Sequence, residues 1–459
     1  MIQQRIAVLD PYCGRLVGDV PVNSRSEVGA ALDAAAAYRY ELDRHARSTL
    51  LFAAAERIAG DADRVAALIS SESGLSLRDT RHEVQRARDV FRFAAMEALR
   101  DDGEAFACDV TALGRARRAV THREPVRVAA AITPFNHPLN QVAHKVAPAI
   151  AAGTPMVLKP SERTPLSALW LLDALGECGL PPDALQMVTG DPREIGAAML
   201  EHPAVDVVLF TGSVAIGKHI ADNLGYRRAV LELGGNDPLL VLDGARIERA
   251  AELAVTGAFA NSGQRCTAVK RIIALDSLAG ELAAAIAERT ALLVAGDPMD
   301  ERTDVGTVID EAAAVAVEQR VRHAVGAGAH LLIGGGRVGA LLEPCVLDGV
   351  HPEMTVVAEE TFGPVAPILR VRDAAEAIAL ANATPYGLSA GVVTNDLELA
   401  LHCARALRCG TVNIDEVPGY RTELTPFGGI GDSGLGVKEG VRESIRALTV
   451  GKLVSFPWG

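Results

Sequence analysis

The 459-residue chain is long enough for two or three domains, and 49% hydrophobic with 22% charged residues excludes a disordered protein. Its formal net charge is −13, with no Lys/Arg-rich run. That balance argues against a nucleic-acid or anionic-membrane surface, so any anion must be met by a few focused arginines.

The opening "MIQQRIAVLDPYCGRLVG" has no apolar h-region, and no run of 18 apolar residues occurs. The expectation is a soluble, cytoplasmic protein. From residue 26 to about 100, apolar residues recur at three- and four-residue spacing, as in "EVGAALDAAAAYRYELDRHARSTLLFAAAERIAG" and "TRHEVQRARDVFRFAAMEAL", which predicts helices. From 126 strands alternate with helices. "VRVAAAITP" reads as a strand, "NQVAHKVAPAIAAG" as a helix ended by Gly, and "PMVLKPS" as a strand. "TPLSALWLLDALGECG" reads as a helix with a Thr cap and Pro at its first position. "ALQMVTGD", "AVDVVLFTGS" and "RAVLELGG" are further strands. Such alternation implies a parallel sheet covered on both faces.

A second series begins near Gly234 and Gly235 with "DPLLVL", a helix through "ERAAELAVTGAFANSG", then "AVKRIIAL" and another helix. Later strands are "APILRV", "LSAGVVT" and "GTVNIDE". The reading is two α/β domains joined near 234. "RARRAVTHREP" and "RALTVGKLVSF" alternate like strands outside both series and are expected to pair as an edge or interface ribbon.

Chemistry concentrates at strand ends. The seven cysteines, Cys13, Cys108, Cys178, Cys266, Cys345, Cys403 and Cys409, show no CxxC or zinc-ligand spacing. They are expected to be free thiols in a reducing compartment, with no metal site. Cys266 in "NSGQRCTAVK" is set among polar residues with Arg265 before it, and a thiolate nucleophile wants nearby positive charge. "FTGSVAIG" puts Gly212, Ser213 and Gly217 at a strand-to-helix turn suited to a phosphate, or to an ordinary turn. Lys159 and Glu162 in "VLKPSE" are either ribose ligands or a charged strand end. Glu232 in "LELGGND" is either a desolvated general base or a buried, paired glutamate. Asn136 in "PFNHP" is an oxyanion donor or a turn asparagine. Taken together, a thiol, an amide, a carboxylate and a nucleotide-type turn suggest aldehyde oxidation beside a nicotinamide.

Eight segments in order, "PFNHP", "VLKPSERTP", "FTGSVAIG", "LELGGNDP", "NSGQRC", "EETFGPV", "PYGLSAGV" and "PFGGIGDSGLGVKEG", make the chain resemble the aldehyde dehydrogenase superfamily over essentially its whole length. The 34 positions between Glu232 and Cys266 match as well. The resemblance implies a Rossmann-type NAD-binding domain (1–106 and 127–233), an α/β catalytic domain (234–427) and a small β-ribbon oligomerisation element (107–126 and 446–459) of a homodimer or homotetramer. It implies Cys266 as nucleophile, Asn136 with the Cys266 N–H as oxyanion site, and Glu232 as the base that hydrolyses the thioester. NAD, with NADP possible, would be met by Thr133, Pro134, Phe135, Lys159, Ser161, Glu162, Gly190, Phe210, Gly212, Ser213, Gly217, Glu232, Leu233, Gly234, Glu360 and Phe362. Gly431 departs from the family, where Lys is usual.

Substrate choice is expected from Arg86, His137, Arg265, Thr267 and Arg421. Converging cations in an acidic protein argue for a small anionic aldehyde, each charge-assisted bond contributing roughly 1.5–3 kcal/mol. Arg265 instead depresses the Cys266 pKa on the alternative reading, and Arg86 is a solvated helix residue. The nearest resemblance is to phosphonoacetaldehyde dehydrogenases, with lactaldehyde, glyceraldehyde 3-phosphate or succinate semialdehyde as alternative substrates. A non-enzymatic binding protein on the same fold is the remote alternative.

Overall fold

The computed structural model describes residues 4–39 and 42–458. Met1 to Gln3, Tyr40, Glu41 and Gly459 belong to the expected spans 1–106 and 446–459 but lie outside the described residues.

A hairpin the sequence reading does not anticipate, Arg5–Leu9 against Leu16–Pro21, opens the described chain. Four helices follow: Arg25–Ala37, Arg44–Gly60, Ala62–Ser73 and Leu77–Ala98. The first is fixed by a capping box, Ser24 and Glu27 each accepting from the other's backbone N–H. The helical pattern through 27–60 is broken after Ala37, where Tyr38 turns extended, and restarts at the side-chain cap of Asp43.

A five-stranded parallel sheet comes next, in spatial order Leu185–Met187, Met156–Lys159, Ala129–Ile132, Val207–Thr211, Arg228–Glu232. One face packs on the helices of residues 44–98 and on Asn140–Ala152, the other on Arg25–Ala37 and Pro192–Glu201. The strands are therefore apolar on both sides, as parallel sheets require. The crossovers change direction between Ala129–Ile132 and Val207–Thr211, and a crevice opens at the carboxyl ends of these strands.

The helix Leu166–Glu177 corrects one expectation. Its N-cap is Pro165, and Thr164 makes no capping bond. The carboxylate of Glu72 accepts from the N–H groups of Leu166 (2.7 Å) and Ser167 (3.0 Å) instead. A cap supplied from 94 residues away carries no local sequence signal.

The chain crosses at Gly234 into a seven-stranded sheet, in spatial order His330–Ile333, Cys345–Asp348, Val365–Val371, Arg271–Leu275, Pro238–Val241, Ser389–Val393, Thr411–Ile414. All neighbours run parallel except the edge strand His330–Ile333. Two clusters of buried side chains cover its faces. Arg117–Pro125 pairs antiparallel with Thr449–Pro457 over nine residues, as expected for a ribbon. Ala105–Ala107 joins its other edge, so part of the span assigned to 1–106 lies in this third sheet. The helix Val441–Ala447 takes residues 446 and 447 out of the expected terminal strand.

Gly431 has φ +60°, and a Cβ there would sit 2.6 Å from the carbonyl oxygen of Pro385. This backbone admits glycine and not the lysine usual in the family.

Candidate active site

Cys266 is aimed by the loop that precedes it. After the helix Ile247–Phe259 the chain reverses through three consecutive left-handed residues, Asn261 (φ 60°), Ser262 (φ 53°) and Gly263 (φ 70°). Two non-glycine residues there cost of order 1–3 kcal/mol each and persist only where their surroundings over-determine them. The surroundings do so. Asp79 accepts the Asn261 N–H at 2.9 Å, Asn261 Nδ2 donates to the Asn136 carbonyl at 2.8 Å, and Ser262 Oγ donates to Gly306 at 3.1 Å. Any Cβ on Gly263 would collide with the Gly363 carbonyl.

The sulfur thereby faces a cavity of about 270 Å³ at the carboxyl ends of the first sheet, lined among others by Phe135, Asn136, Ser213, Glu232, Glu360 and Phe362. Asn136 is buried, and its Nδ2 donates one bond to the Gln264 carbonyl at 2.7 Å. Its second N–H remains to meet a ligand. Glu232 is buried with neither carboxylate oxygen bonded. Burial, then the charge of Glu439, raises its pKa well above the usual carboxylate range against Lys145, Arg421 and Lys438. Lys145 itself pairs with Glu439 and donates to Thr211 Oγ1 at 2.8 Å.

Burial also pushes the Cys266 thiol up to about 11. The cation that most opposes this is Lys270, with Arg421 a smaller contributor and Asp237 acting against both. On the alternative reading Arg265 depresses the Cys266 pKa; its charge does interact with Cys266, but the largest opposing contribution comes from Lys270, four residues after the cysteine. Its Nζ donates to the carbonyls of Gly235 and Cys266 and to Glu360 Oε1, each at 2.8 Å.

The other expected cofactor residues form a rim around this cavity or stand behind it. Pro134, Gly212, Leu233 and Gly234 line it. Thr133 and Ser161 are buried beside the strand ends, and Lys159 Nζ pairs with Glu162 at 3.1 Å. Phe210 is a core side chain against which Gly212 must stay small. Gly217 has no room for a Cβ beside Leu233, and Gly190, at φ +149°, would place one 2.9 Å from Ile195. These three act through packing rather than by facing the cavity. Ser213 caps the helix Val214–Asn223 with no side-chain bond, leaving its first N–H groups open. Phe362 meets Phe135 edge to face, with centroids 6.0 Å apart.

The expected substrate residues are not among those lining this cavity. Arg265 and Thr267 are both within reach of Gly419, where a Cβ would approach Arg265 Nη2 to 2.6 Å and Thr267 Oγ1 to 2.5 Å. The loop around Gly419 therefore closes over them. The charges of Arg86, Cys266 and Arg421 all bear on Arg265, so these groups share one neighbourhood. Arg421 lies over the ring of Phe427, and its Nη1 is buried with no partner. Arg86 departs from both expectations: it is neither solvated nor free, since its Nε donates to Glu423 at 2.5 Å. Glu423 also pairs with His144, and these two partners hold its carboxyl well below the usual range despite burial. His137 stands 3.7 Å from Glu83, and burial lowers its pKa.

A model of the aldehyde dehydrogenase family matches residues 2–454. The chain belongs to the aldehyde dehydrogenase family. The 3-sulfolactaldehyde dehydrogenase of Priestia aryabhattai is 37% identical over 452 residues, 98% of this chain and 94% of that one. The NADP-dependent glyceraldehyde-3-phosphate dehydrogenase of Streptococcus equinus is 37% identical, with 99% and 96% covered. The crystal structure of NADP-dependent glyceraldehyde-3-phosphate dehydrogenase from Bacillus halodurans complexed with NADP aligns with a TM-score of 0.97 at 38% identity, covering 99% and 96% of the two chains.

Within this aldehyde dehydrogenase three site residues escape the sequence reading. Lys270 lies in the quoted stretch "NSGQRCTAVK", yet its position in a strand-like run gives no hint that Nζ turns back under the sulfur. His82 sits one helical turn before Arg86, and the charges of Arg86, Arg265 and His137 all bear on it. An i, i+4 His/Arg pair was the available signal. Glu423, inside "GYRTE", is visible only as the acid that follows Arg421. No helix of the described residues is long and apolar enough to cross a membrane, and no metal-binding cluster occurs among them.

Proposed function

We propose that the protein oxidises a small aldehyde bearing an anionic group to its carboxylic acid with NAD or NADP, phosphonoacetaldehyde being the substrate first expected. The observation that carries the anionic tail is Arg421, whose buried Nη1 has no hydrogen-bond partner and whose charge bears on Cys266. A buried unpaired cation is costly unless a ligand completes it. Relatives named for 3-sulfolactaldehyde and glyceraldehyde 3-phosphate, both anionic, support the same class.

The cavity suits a nicotinamide dinucleotide. Open N–H groups at Ser213, a glycine at 234 that leaves room only for the Glu360 carboxylate, and the Phe135–Phe362 edge fit a pyrophosphate, a ribose and a ring in turn. When bound, this cofactor accepts hydride. Once its proton has passed to water, the Cys266 thiolate adds to the aldehyde carbonyl carbon, and the oxyanion is met by Asn136 Nδ2–H and the Cys266 N–H. Loss of hydride leaves a thioester. Glu232 takes a proton from water as its oxygen attacks the thioester carbon, and the Cys266 sulfur leaves with the acid released.

The same reading makes the chain up to 104 and 127–233 the cofactor unit, 234–427 the catalytic unit, and the ribbon of Ala105–Ala107, Arg117–Pro125 and Thr449–Pro457 a subunit contact. Exposed Val450, Leu453 and Phe456 support the last assignment. The test is a panel of kcat/KM values for phosphonoacetaldehyde, 3-sulfolactaldehyde, glyceraldehyde 3-phosphate, succinate semialdehyde, lactaldehyde and propanal with each cofactor. The reading holds if an anionic aldehyde leads, and fails if propanal or lactaldehyde does.

A further inference from the structure

Beneath the cavity floor, Lys270 makes a junction that the chemistry above does not use. Its ammonium is buried, and all three of its protons are placed: on the Gly235 carbonyl, on the nucleophile's own carbonyl, and on Glu360 Oε1. Glu360 Oε1 in turn accepts the Gly235 N–H at 3.1 Å. The ammonium also lies 5.6 Å from the centroid of the Phe362 ring. One cation therefore touches the backbone of the reactive cysteine, the glycine turn between the two sheets, and the carboxylate that lines the cavity.

We propose that Lys270 is a positioning residue that couples Glu360 to Cys266: the Glu360 carboxylate holds the ammonium's charge while the cavity is free, and yields it to the sulfur when ribose hydroxyls engage that carboxylate. This rests on the reading of the cavity as a nicotinamide dinucleotide site. The electrostatic logic follows from the geometry. A carboxylate at 2.8 Å offsets most of the field that the ammonium exerts on its other neighbours. Hydrogen bonds donated to the carboxylate by a diol spread its charge and weaken that offset. The charged groups bearing on the sulfur are Lys270, Asp237, Arg421 and Glu360, with Arg265 adjacent. Among them only Lys270 and Glu360 form a direct ion pair with each other, and Lys270 also donates to the Cys266 carbonyl. Arg421 is stacked on Phe427, remote from Glu360 in these contacts. Asp237 is bonded through Oδ1 to the Ser389 N–H; its carbonyl accepts the Lys270 N–H, and its carboxylate feels the Lys270 charge through space without forming an ion pair with it.

The experiment follows alkylation of Cys266 by iodoacetamide against pH, quantified on the Cys266 peptide so that the other six thiols do not contribute. Wild type, Lys270→Met, Lys270→Arg and Glu360→Gln are compared without and with NAD or NADP, whose binding is measured separately by calorimetry. In the unliganded protein Lys270→Met is expected to move the alkylation midpoint up by about 1 pH unit or more, and Glu360→Gln to move it down. Lys270→Arg, which keeps the charge, stays close to wild type. Bound cofactor lowers the midpoint in wild type and leaves it unmoved in Lys270→Met and Glu360→Gln. Equal midpoints for wild type, Lys270→Met and Glu360→Gln in the unliganded protein overturn the proposal. So does a cofactor-induced fall that survives in Lys270→Met. Absence of cofactor binding to wild type overturns the dinucleotide reading instead, and the unliganded comparison still decides the pairing. If Lys270→Met does not fold, Glu360→Gln and Lys270→Arg carry the same comparison.

Discussion

The guanidinium of Arg421 stacks on the ring of Phe427, 3.8 Å from its centroid. The aromatic face fixes the side chain and leaves the buried Nη1 without a hydrogen-bond partner, while the charges of Glu232, Glu423 and Glu439 bear on it from a distance. Arg421→Ala is therefore expected to lower kcat/KM for phosphonoacetaldehyde or 3-sulfolactaldehyde roughly 10- to 100-fold, mostly through KM. The effect on propanal is expected within about 3-fold. Equal losses on charged and neutral aldehydes, measured side by side, would count against the anionic tail.

Glu232 has no hydrogen-bond partner and a raised pKa, so it keeps its proton further up the pH scale than an exposed glutamate. Only the deprotonated carboxylate can take a proton from water. Steady-state turnover is expected to fall as pH drops through that raised value, while the pre-steady-state burst of reduced cofactor persists. Glu232→Gln is expected to retain a burst of one equivalent per site and to lose steady-state rate by roughly 10²–10⁴-fold. Stopped-flow absorbance shows both phases; a variant with undiminished turnover refutes the assignment.

On the proposed reading, the Lys159–Glu162 pair bears on cofactor choice. The Glu162 carboxylate repels a 2′-phosphate and holds the one nearby ammonium that would attract it. Glu162→Gln releases Lys159. The ratio of kcat/KM for NADP over NAD is expected to rise roughly tenfold or more. An unchanged ratio places the 2′ position elsewhere.

Glu72 caps a helix from outside it, and burial raises its pKa to about 7 against 4.5 in an unfolded chain. The native state thus binds the extra proton between these values, and stability from this group falls as pH rises from about 4.5 to about 7. The size is about 3 kcal/mol if the whole difference is expressed. Glu72→Gln, which cannot ionise, is expected to shrink the drop in melting temperature between pH 5 and pH 7.5. Calorimetry at both pH values reads this directly, and an unchanged drop excludes Glu72 as its source.

Local pattern was enough for the parallel sheets, because alternating strand and helix periods need only near neighbours to be recognised. It was enough also to place Glu232, Asn136 and Ser213 just at or after the carboxyl ends of strands, where a parallel fold exposes residues to a common crevice, whereas Cys266 lies in a loop. The ribbon pairing of 117–125 with 449–457 was visible as two unattached alternating runs. What tertiary structure alone decided are partnerships across long sequence separations. Arg86 meets Glu423 across 337 residues, Glu72 caps a helix 94 residues on, and Lys270 is turned on Glu360 90 residues away. Charge on a buried residue has no meaning until its partner is known. The sequence determines which cations exist near the nucleophile. Only the folded chain settles that Arg86 pairs with Glu423, that Lys270 pairs with Glu360, and that Arg421, of these three, forms no ion pair with a carboxylate among the described residues.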